Sequence, residues 1–201
     1  MQTAAVALLA YLLGSVSFAI VVSRLMRLPD PRIYGSKNPG ATNVLRSGSK
    51  IAAVLTLVGD AGKGALAVVI VVLYTGEPAA AGPDAPVAGA MAFLGHLFPV
   101  WHGFKGGKGV ATAAGVLLAL DPWLGLGTLV TFAVIVLFFR MVSLASVISA
   151  AFAVFYAFFL FGVRPIGWAV TTMAVLLVWR HAANLQRIVS GTEPRLGEKK
   201  T

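Results

Sequence analysis

"TAAVALLAYLLGSVSFAIVVSRLM", Thr3 to Met26, carries a single charged residue, Arg24, near its end. A helix needs about 20 apolar residues to cross the hydrocarbon of a bilayer, and this run has them. It exceeds the ~7–15 residues of a signal-peptide core and lacks a leading positive cluster, so it reads as a retained membrane span. The same grade of sequence recurs along the chain. Of 201 residues 58% are hydrophobic and 11% charged, with a mean hydropathy of +0.88. A soluble domain uses roughly a quarter of its residues as charges. The composition therefore specifies an all-α, polytopic integral membrane protein, read here as a single membrane-embedded domain over residues 1–201.

Candidate spans are Thr3–Met26, Ile51–Thr75, Pro86–Trp101, Val110–Leu120, Trp123–Phe139, Val142–Phe161 and Pro165–Trp179, about seven helices with two of them short. Lys and Arg collect on the cytoplasmic side of membrane proteins. Arg24, Arg27, Arg32, Lys37, Arg46 and Lys50 follow the first span, Lys105 and Lys108 follow the third, and Arg180, Arg187, Arg195, Lys199 and Lys200 follow the last. The segments between, "GEPAAAGPDAP" and "LDP", carry acids and no lysine or arginine. Seven spans alternate these sets, with the N-terminus outside and the C-terminus cytoplasmic, Arg140 inside and Arg164 outside. A five-span reading, with Pro86–Leu120 as one re-entrant hairpin, keeps the same basic segments on one side.

Without cysteine the chain has no disulfide, thiolate nucleophile or cysteine-ligated metal. The net charge of +9 and pI near 10.4 fit positive-inside bias and anionic lipid headgroups, so no nucleic-acid partner is inferred. The three histidines and few acids show no spacing such as H-E-x-x-H, so no metal is expected. His96 and His102 read as interfacial structural residues.

Three polar segments fall on the basic side. In "YGSKNPGATNVLRSGSK", Tyr34 to Lys50, glycine, proline and asparagine preclude a lipid-facing helix. Its turn-rich backbone, with Ser36 before Lys37 and Asn38, Thr42 and Asn43 between Lys37 and Arg46, resembles an anion nest with counter-charges. In "WHGFKGGKGVATAAG", Trp101 to Gly115, a glycine turn opens an apolar helix, so unpaired N–H groups and the helix dipole favour an anion, with Lys105 and Lys108 adding charge. It is not a Walker A loop, because His102 and Gly109 stand where that motif needs a glycine and a Ser or Thr. In "RHAANLQRIVSGTEPRLG", Arg180 to Gly197, His181, Asn184 and Ile188 share a helix face before a turn carrying Glu193, while Arg187, Lys199 and Lys200 read as an amphipathic tail. Asp60 and Lys63, three apart inside the second span, form a candidate ion pair supporting these loops.

This inventory suits acyl or phosphoryl transfer at the membrane surface: cations and N–H groups hold phosphate or an oxyanion, and His181, Asn184 and Glu193 orient a hydroxyl. No G-x-S-x-G element occurs, so direct transfer is preferred over an acyl-enzyme. The segments "GSKNPGATNVLR", "GHLFPVWHGFKGGKGVAT" and "RHAANLQRIVSGTEPRLG" resemble the three cytoplasmic motifs of the bacterial acyl-phosphate:glycerol-3-phosphate acyltransferase family, in the same order.

The resemblance implies an inner-membrane enzyme that moves a fatty acyl group from acyl-phosphate to the 1-hydroxyl of sn-glycerol-3-phosphate. The products are lysophosphatidic acid and phosphate, the first membrane step of phospholipid synthesis. It implies no cofactor, no metal and no obligatory protein partner. Carried over by position, Ser36, Arg46 and Lys105 match the family's phosphate-binding polar residues, and Gly35 and Gly40 its first-motif turn. Gly106, Gly107 and Gly109, around Lys108, match its glycine loop. His181, Asn184 and Glu193 match the motif associated with acceptor binding and catalysis. The H-x-x-x-x-D motif of acyl-CoA-dependent acyltransferases is absent, since Trp101, Gly107 and Gln186 stand five residues after the histidines. A transporter for a phosphorylated small molecule is the competing reading; it calls for two matching halves, which the sequence does not show.

Overall fold

The first span is not one helix. In the computed structural model, which describes residues 2–197, α1 (Gln2–Gly14) and α2 (Phe18–Leu25) are separated at Ser15–Ser17. The Val16 carbonyl freed by the break accepts from Lys63 Nζ at 2.5 Å, and Ser15 Oγ donates back to Tyr11 O at 2.9 Å. A broken helix at membrane depth is tolerated where side chains satisfy its backbone in this way.

After the short α3 (Ala41–Leu45) come α4 (Lys50–Thr75), α5 (Asp84–Leu97), α6 (Val110–Leu120), α7 (Pro122–Phe139), α8 (Val142–Phe161), α9 (Pro165–Arg180) and α10 (Ala182–Val189), with a 3₁₀ turn over Val100–His102. Among the described residues every regular element is helical. Ser49 caps α4 by accepting from Ala52 N at 3.2 Å, and Asp121 caps α7 by accepting from Leu124 N at 2.9 Å.

Thr3–Leu25, Lys50–Thr75, Pro122–Phe139 and Val142–Phe161 are each long and apolar enough to cross a bilayer; α9 and α10, bent by 58° to each other, pass the same test only when taken as one span. The run Pro86–Trp101 differs from its expected bounds, because Pro99 and the 3₁₀ turn end α5 at Leu97. The bend at His181 likewise ends α9 at Arg180, and His181 stands at the N-cap of α10, buried like Asn184 three residues on. Lys199 and Lys200 lie outside the described residues.

The two short helices occupy the middle. α5 packs on α1, α4, α6 and α9, and α6 on α4, α5, α7 and α9, while α7 and α8 close the outer side. Backbones touch through small residues. A Cβ on Gly14 would fall 2.0 Å from Ala92 O, tying α1 to α5, and one on Gly115 would fall 1.9 Å from Ala61 O, tying α6 to α4. At ~1.5 Å per residue, the 14 residues of α5 and 11 of α6 span about 21 and 16 Å, against ~30 Å of hydrocarbon. His96, near the end of α5, and Thr112, in the first turn of α6, stand beside Asp60, ten residues into α4. The open end above the short helices is therefore sunk about 15 Å along α4.

Candidate active site

All three polar segments gather at that end. Their local folds explain how. In the first, Asn43 is 2% exposed and its amide is wholly engaged. Its Oδ1 accepts the Ser36 N–H at 2.9 Å and its Nδ2 donates to Pro31 O at 2.7 Å and Tyr34 O at 3.2 Å. Asn43 thus shapes the turn instead of presenting a free donor. Gly35 has φ +58°, and a Cβ there would fall 2.3 Å from Asn43 Oδ1 and 3.1 Å from Arg46 Cδ. The Arg46 side chain lies along this turn, with Ser36, Lys37 and Thr42 exposed and Asn38 and Gly40 half-buried around it.

The glycine loop is strapped from both sides. Gly106 N donates to Leu97 O at 3.1 Å and Gly107 N to His96 O at 3.2 Å. Arg180 closes the other side, donating through Nη2 to Gly106 O at 2.8 Å and through Nε to Gly107 O at 3.2 Å. Pro39 O of the first segment would lie 2.8 Å from a Cβ on Gly107, so the first and second segments are in direct contact. The unpaired amides expected of the glycine turn are thus only part of the loop. Two are used by α5, and the amides without a protein acceptor among the described residues run from Lys108 into the first turn of α6. Gly109, at φ +81° against Phe93 and Leu97, turns the chain into that helix. Lys105 is exposed beside the loop.

The third segment is built on Glu193. Its Oε1 accepts from Asn184 Nδ2 at 2.6 Å and Ser143 Oγ at 2.6 Å, and its Oε2 pairs with Arg187 Nε at 2.7 Å. Asn184 Oδ1 in turn accepts from Lys108 Nζ. Ser143 lies in the first turn of α8, where the helix dipole also favours a carboxylate. The chain beyond is pinned by Leu196 N donating to Arg140 O at 2.7 Å. His181, 2% exposed, donates from Nδ1 to Leu177 O at 2.8 Å, which leaves Nε2 as the acceptor nitrogen.

Electrostatically, one carboxylate faces several cations. Burial pushes Lys108 down from 10.5 to about 8; Glu193 opposes this, while Arg187, Arg180 and Arg46 add to it. Burial also pushes His181 down to about 4, with the Leu177 carbonyl opposing, so the imidazole is neutral at pH 7. Burial alone would raise Glu193, but hydrogen bonds from Ser143, Asn184 and Arg187 hold it below its ordinary 4.5. No group of three or more His, Asp or Glu is arranged for a metal ion among the described residues. A cluster of cations beside unpaired backbone amides is suited to bind phosphate and to stabilise an oxyanion.

Sequence reasoning missed three of these parts. Arg180 was counted only as a basic terminus residue, although a charge directly before His181 at a span end was a usable signal. Arg187 was assigned to an amphipathic tail, yet it pairs with Glu193. Nothing in the local sequence of α8 pointed to Ser143.

The family model for glycerol-3-phosphate acyltransferase matches residues 4–191. The chain belongs to the glycerol-3-phosphate acyltransferase family. A glycerol-3-phosphate acyltransferase of Ralstonia nicotianae is 57% identical over 198 residues, covering 98% of this chain and 96% of the relative. One of Burkholderia pseudomallei is 56% identical over 204 residues, covering 100% and 98%. The crystal structure of PlsY (YgiH), an integral membrane glycerol 3-phosphate acyltransferase in its glycerol 3-phosphate form, superposes with a TM-score of 0.90 at 36% identity, covering 98% of this chain and 96% of PlsY. Its lysophosphatidic acid form gives 0.88 at 35%.

Proposed function

We propose that this protein transfers a fatty acyl group from acyl-phosphate to the 1-hydroxyl of sn-glycerol-3-phosphate, releasing phosphate and lysophosphatidic acid. The carrying observation is the convergence of Arg46, Lys108 and Arg180 with the free amides of α6 at the sunk end of two short helices. Family membership supports the acceptor and product; the acyl-phosphate donor rests on the motif resemblance. The acyl chain lies among the helices in the bilayer, and its phosphate docks on the cations. Glycerol-3-phosphate enters from the cytoplasm and its hydroxyl attacks the acyl carbon. The carbonyl oxygen gains charge and is stabilised by N–H donors, and the acyl–phosphate C–O bond then breaks. A mixed anhydride is already activated. A His181 held near 4 is a weak base, so a substrate phosphate oxygen takes the hydroxyl proton.

The working arrangement is one membrane-embedded unit of seven passes in the bacterial inner membrane, with the site and C-terminus cytoplasmic. The alternation of basic and acidic connections supports it. Because the chain has no cysteine, single cysteines at Lys37 and Ala80 can be labelled with a membrane-impermeant maleimide in spheroplasts; Ala80 should react and Lys37 should not.

The function is tested with labelled glycerol-3-phosphate and palmitoyl-phosphate in proteoliposomes. Lysophosphatidic acid should form with palmitoyl-phosphate and not with palmitoyl-CoA. Uptake of glycerol-3-phosphate without product would favour transport.

Arg46→Ala and Lys105→Ala should each lower turnover about 10- to 100-fold with an unchanged melting curve, since both side chains are exposed and, among the described residues, their hydrogen bonds are made by backbone that Ala retains. Wild-type rates in both would remove them from the phosphate site.

kcat/KM should be level near pH 7 and decline above pH 8 as Lys108 loses its proton. The unfolded chain keeps that proton up to 10.5, so the penalty of burying a charged Lys108 is relieved as pH rises from about 8 to 10.5, and this group's titration does not itself promote unfolding there. In Lys108→Arg the basic limb should move out of range; an unaltered limb would assign it to another group.

A further inference from the structure

Beneath the glycine loop a second, buried polar cluster joins α4, α5 and α6 within the helix bundle. Asp60 and Lys63 on α4 are 2% and 3% exposed. Lys63 Nζ stands 2.9 Å from Asp60 Oδ1, off the line of a hydrogen bond, and donates to Val16 O at the α1–α2 break. His96 faces them from α5, its Nδ1 3.6 Å from Asp60 Oδ1 and 3.1 Å from Thr112 Oγ1 on α6. Charges at this depth are costly, and helices already packed through small residues do not need them for cohesion.

The other edge of the His96 ring explains the arrangement. A Cβ on Gly107 would fall 2.2 Å from His96 Nε2, so the ring lies directly under the loop. The same residue's carbonyl accepts the Gly107 N–H at 3.2 Å. His96 therefore holds Gly107 by ring and by backbone, and the free amides begin at the next residue.

We propose that His96 is a positioning residue. Braced by Thr112 and by the Asp60–Lys63 pair, its ring is a strut that sets the height of the glycine loop, and so the alignment of the α6 amides with a substrate phosphate. The Asp60 carboxylate favours the proton on Nδ1, which leaves Nε2 bare to abut the Gly107 backbone. Through Lys63, the strut is tied to the break in the first span. A displacement of about 1 Å at such a loop is enough to degrade binding strongly.

The inference uses the acyl-transfer reading for its assay. Steady-state constants for both phosphate substrates, with melting temperatures in detergent, are compared for wild type, His96→Leu, His96→Gln, His96→Asn and Asp60→Asn. His96→Leu should raise the KM of one phosphate substrate about tenfold or more, with the other KM within about twofold and kcat within about threefold. The Gln amide reaches the Nε2 position and should restore that KM to within about threefold; the Asn amide reaches only the Nδ1 position and should not. Asp60→Asn should move the same KM in the same direction as His96→Leu. An unchanged KM in His96→Leu, rescue by Asn and not by Gln, or a parallel loss of kcat and melting temperature in every variant each overturns the strut. If His96→Leu is not recovered folded, the Gln and Asn pair decides. Wild-type protein without turnover would overturn the proposed function instead, so the two failures are distinct.

Discussion

Gly107→Ala lowers kcat/KM about 100-fold or more while the protein remains folded. The added methyl would meet His96 Nε2 at 2.2 Å and Pro39 O at 2.8 Å, one a ring wedged beneath the loop and the other backbone. Neither is the free end of a flexible side chain, so the loop itself must lift. Lifting loosens the bonds from Gly107 N to His96 O and from Arg180 to Gly106 O and Gly107 O, and carries Lys108 away from Asn184. Misplacement of a binding group by about 1 Å is worth ~10²-fold in rate. Gly62→Ala is the control, because nothing stands within 4 Å of its Cβ position. Near-wild-type kinetics in Gly107→Ala would mean that the loop height does not matter to the substrate.

Glu193→Ala is the most destabilising of the predicted single changes at the site, by about 2–4 kcal/mol, and is expected to lower the melting temperature in detergent as well as activity. It leaves Ser143 Oγ, Asn184 Nδ2 and Arg187 Nε without their shared acceptor, the first two of them buried. It also frees Asn184, which orients Lys108. The pH dependence has a definite sign. The Glu193 carboxyl is held below 4.5 by its hydrogen bonds, so its contribution is complete above the unfolded value and fades as pH falls through the depressed one. Wild type should therefore lose melting temperature on acidification below pH 4.5 more steeply than Glu193→Gln, which has no proton to gain. Parallel profiles would show that Glu193 does not anchor the segment.

The membrane class was legible because hydrophobic runs of ~20 residues have no other stable solution in water or lipid. The polar segments were legible because glycine, asparagine and proline among cations cannot face lipid. What remained hidden depends on tertiary contact. The break at Ser15–Ser17 is stabilised by Lys63, 47 residues away in sequence, and no local pattern announces it. Asn43 was read as a donor for phosphate, yet both ends of its amide are taken by the turn it shapes. The Gly106 and Gly107 amides were expected to be free, but the end of α5 lies alongside and captures them. His96 looked like an interfacial residue because its role depends on where Gly107 crosses it.

The most direct test of the account is phosphate release from palmitoyl-phosphate by the purified protein in lipidic medium, with and without glycerol-3-phosphate. The account predicts release that requires the acceptor and matches lysophosphatidic acid mole for mole. Equal release in the absence of glycerol-3-phosphate, or none from demonstrably folded protein, would contradict it.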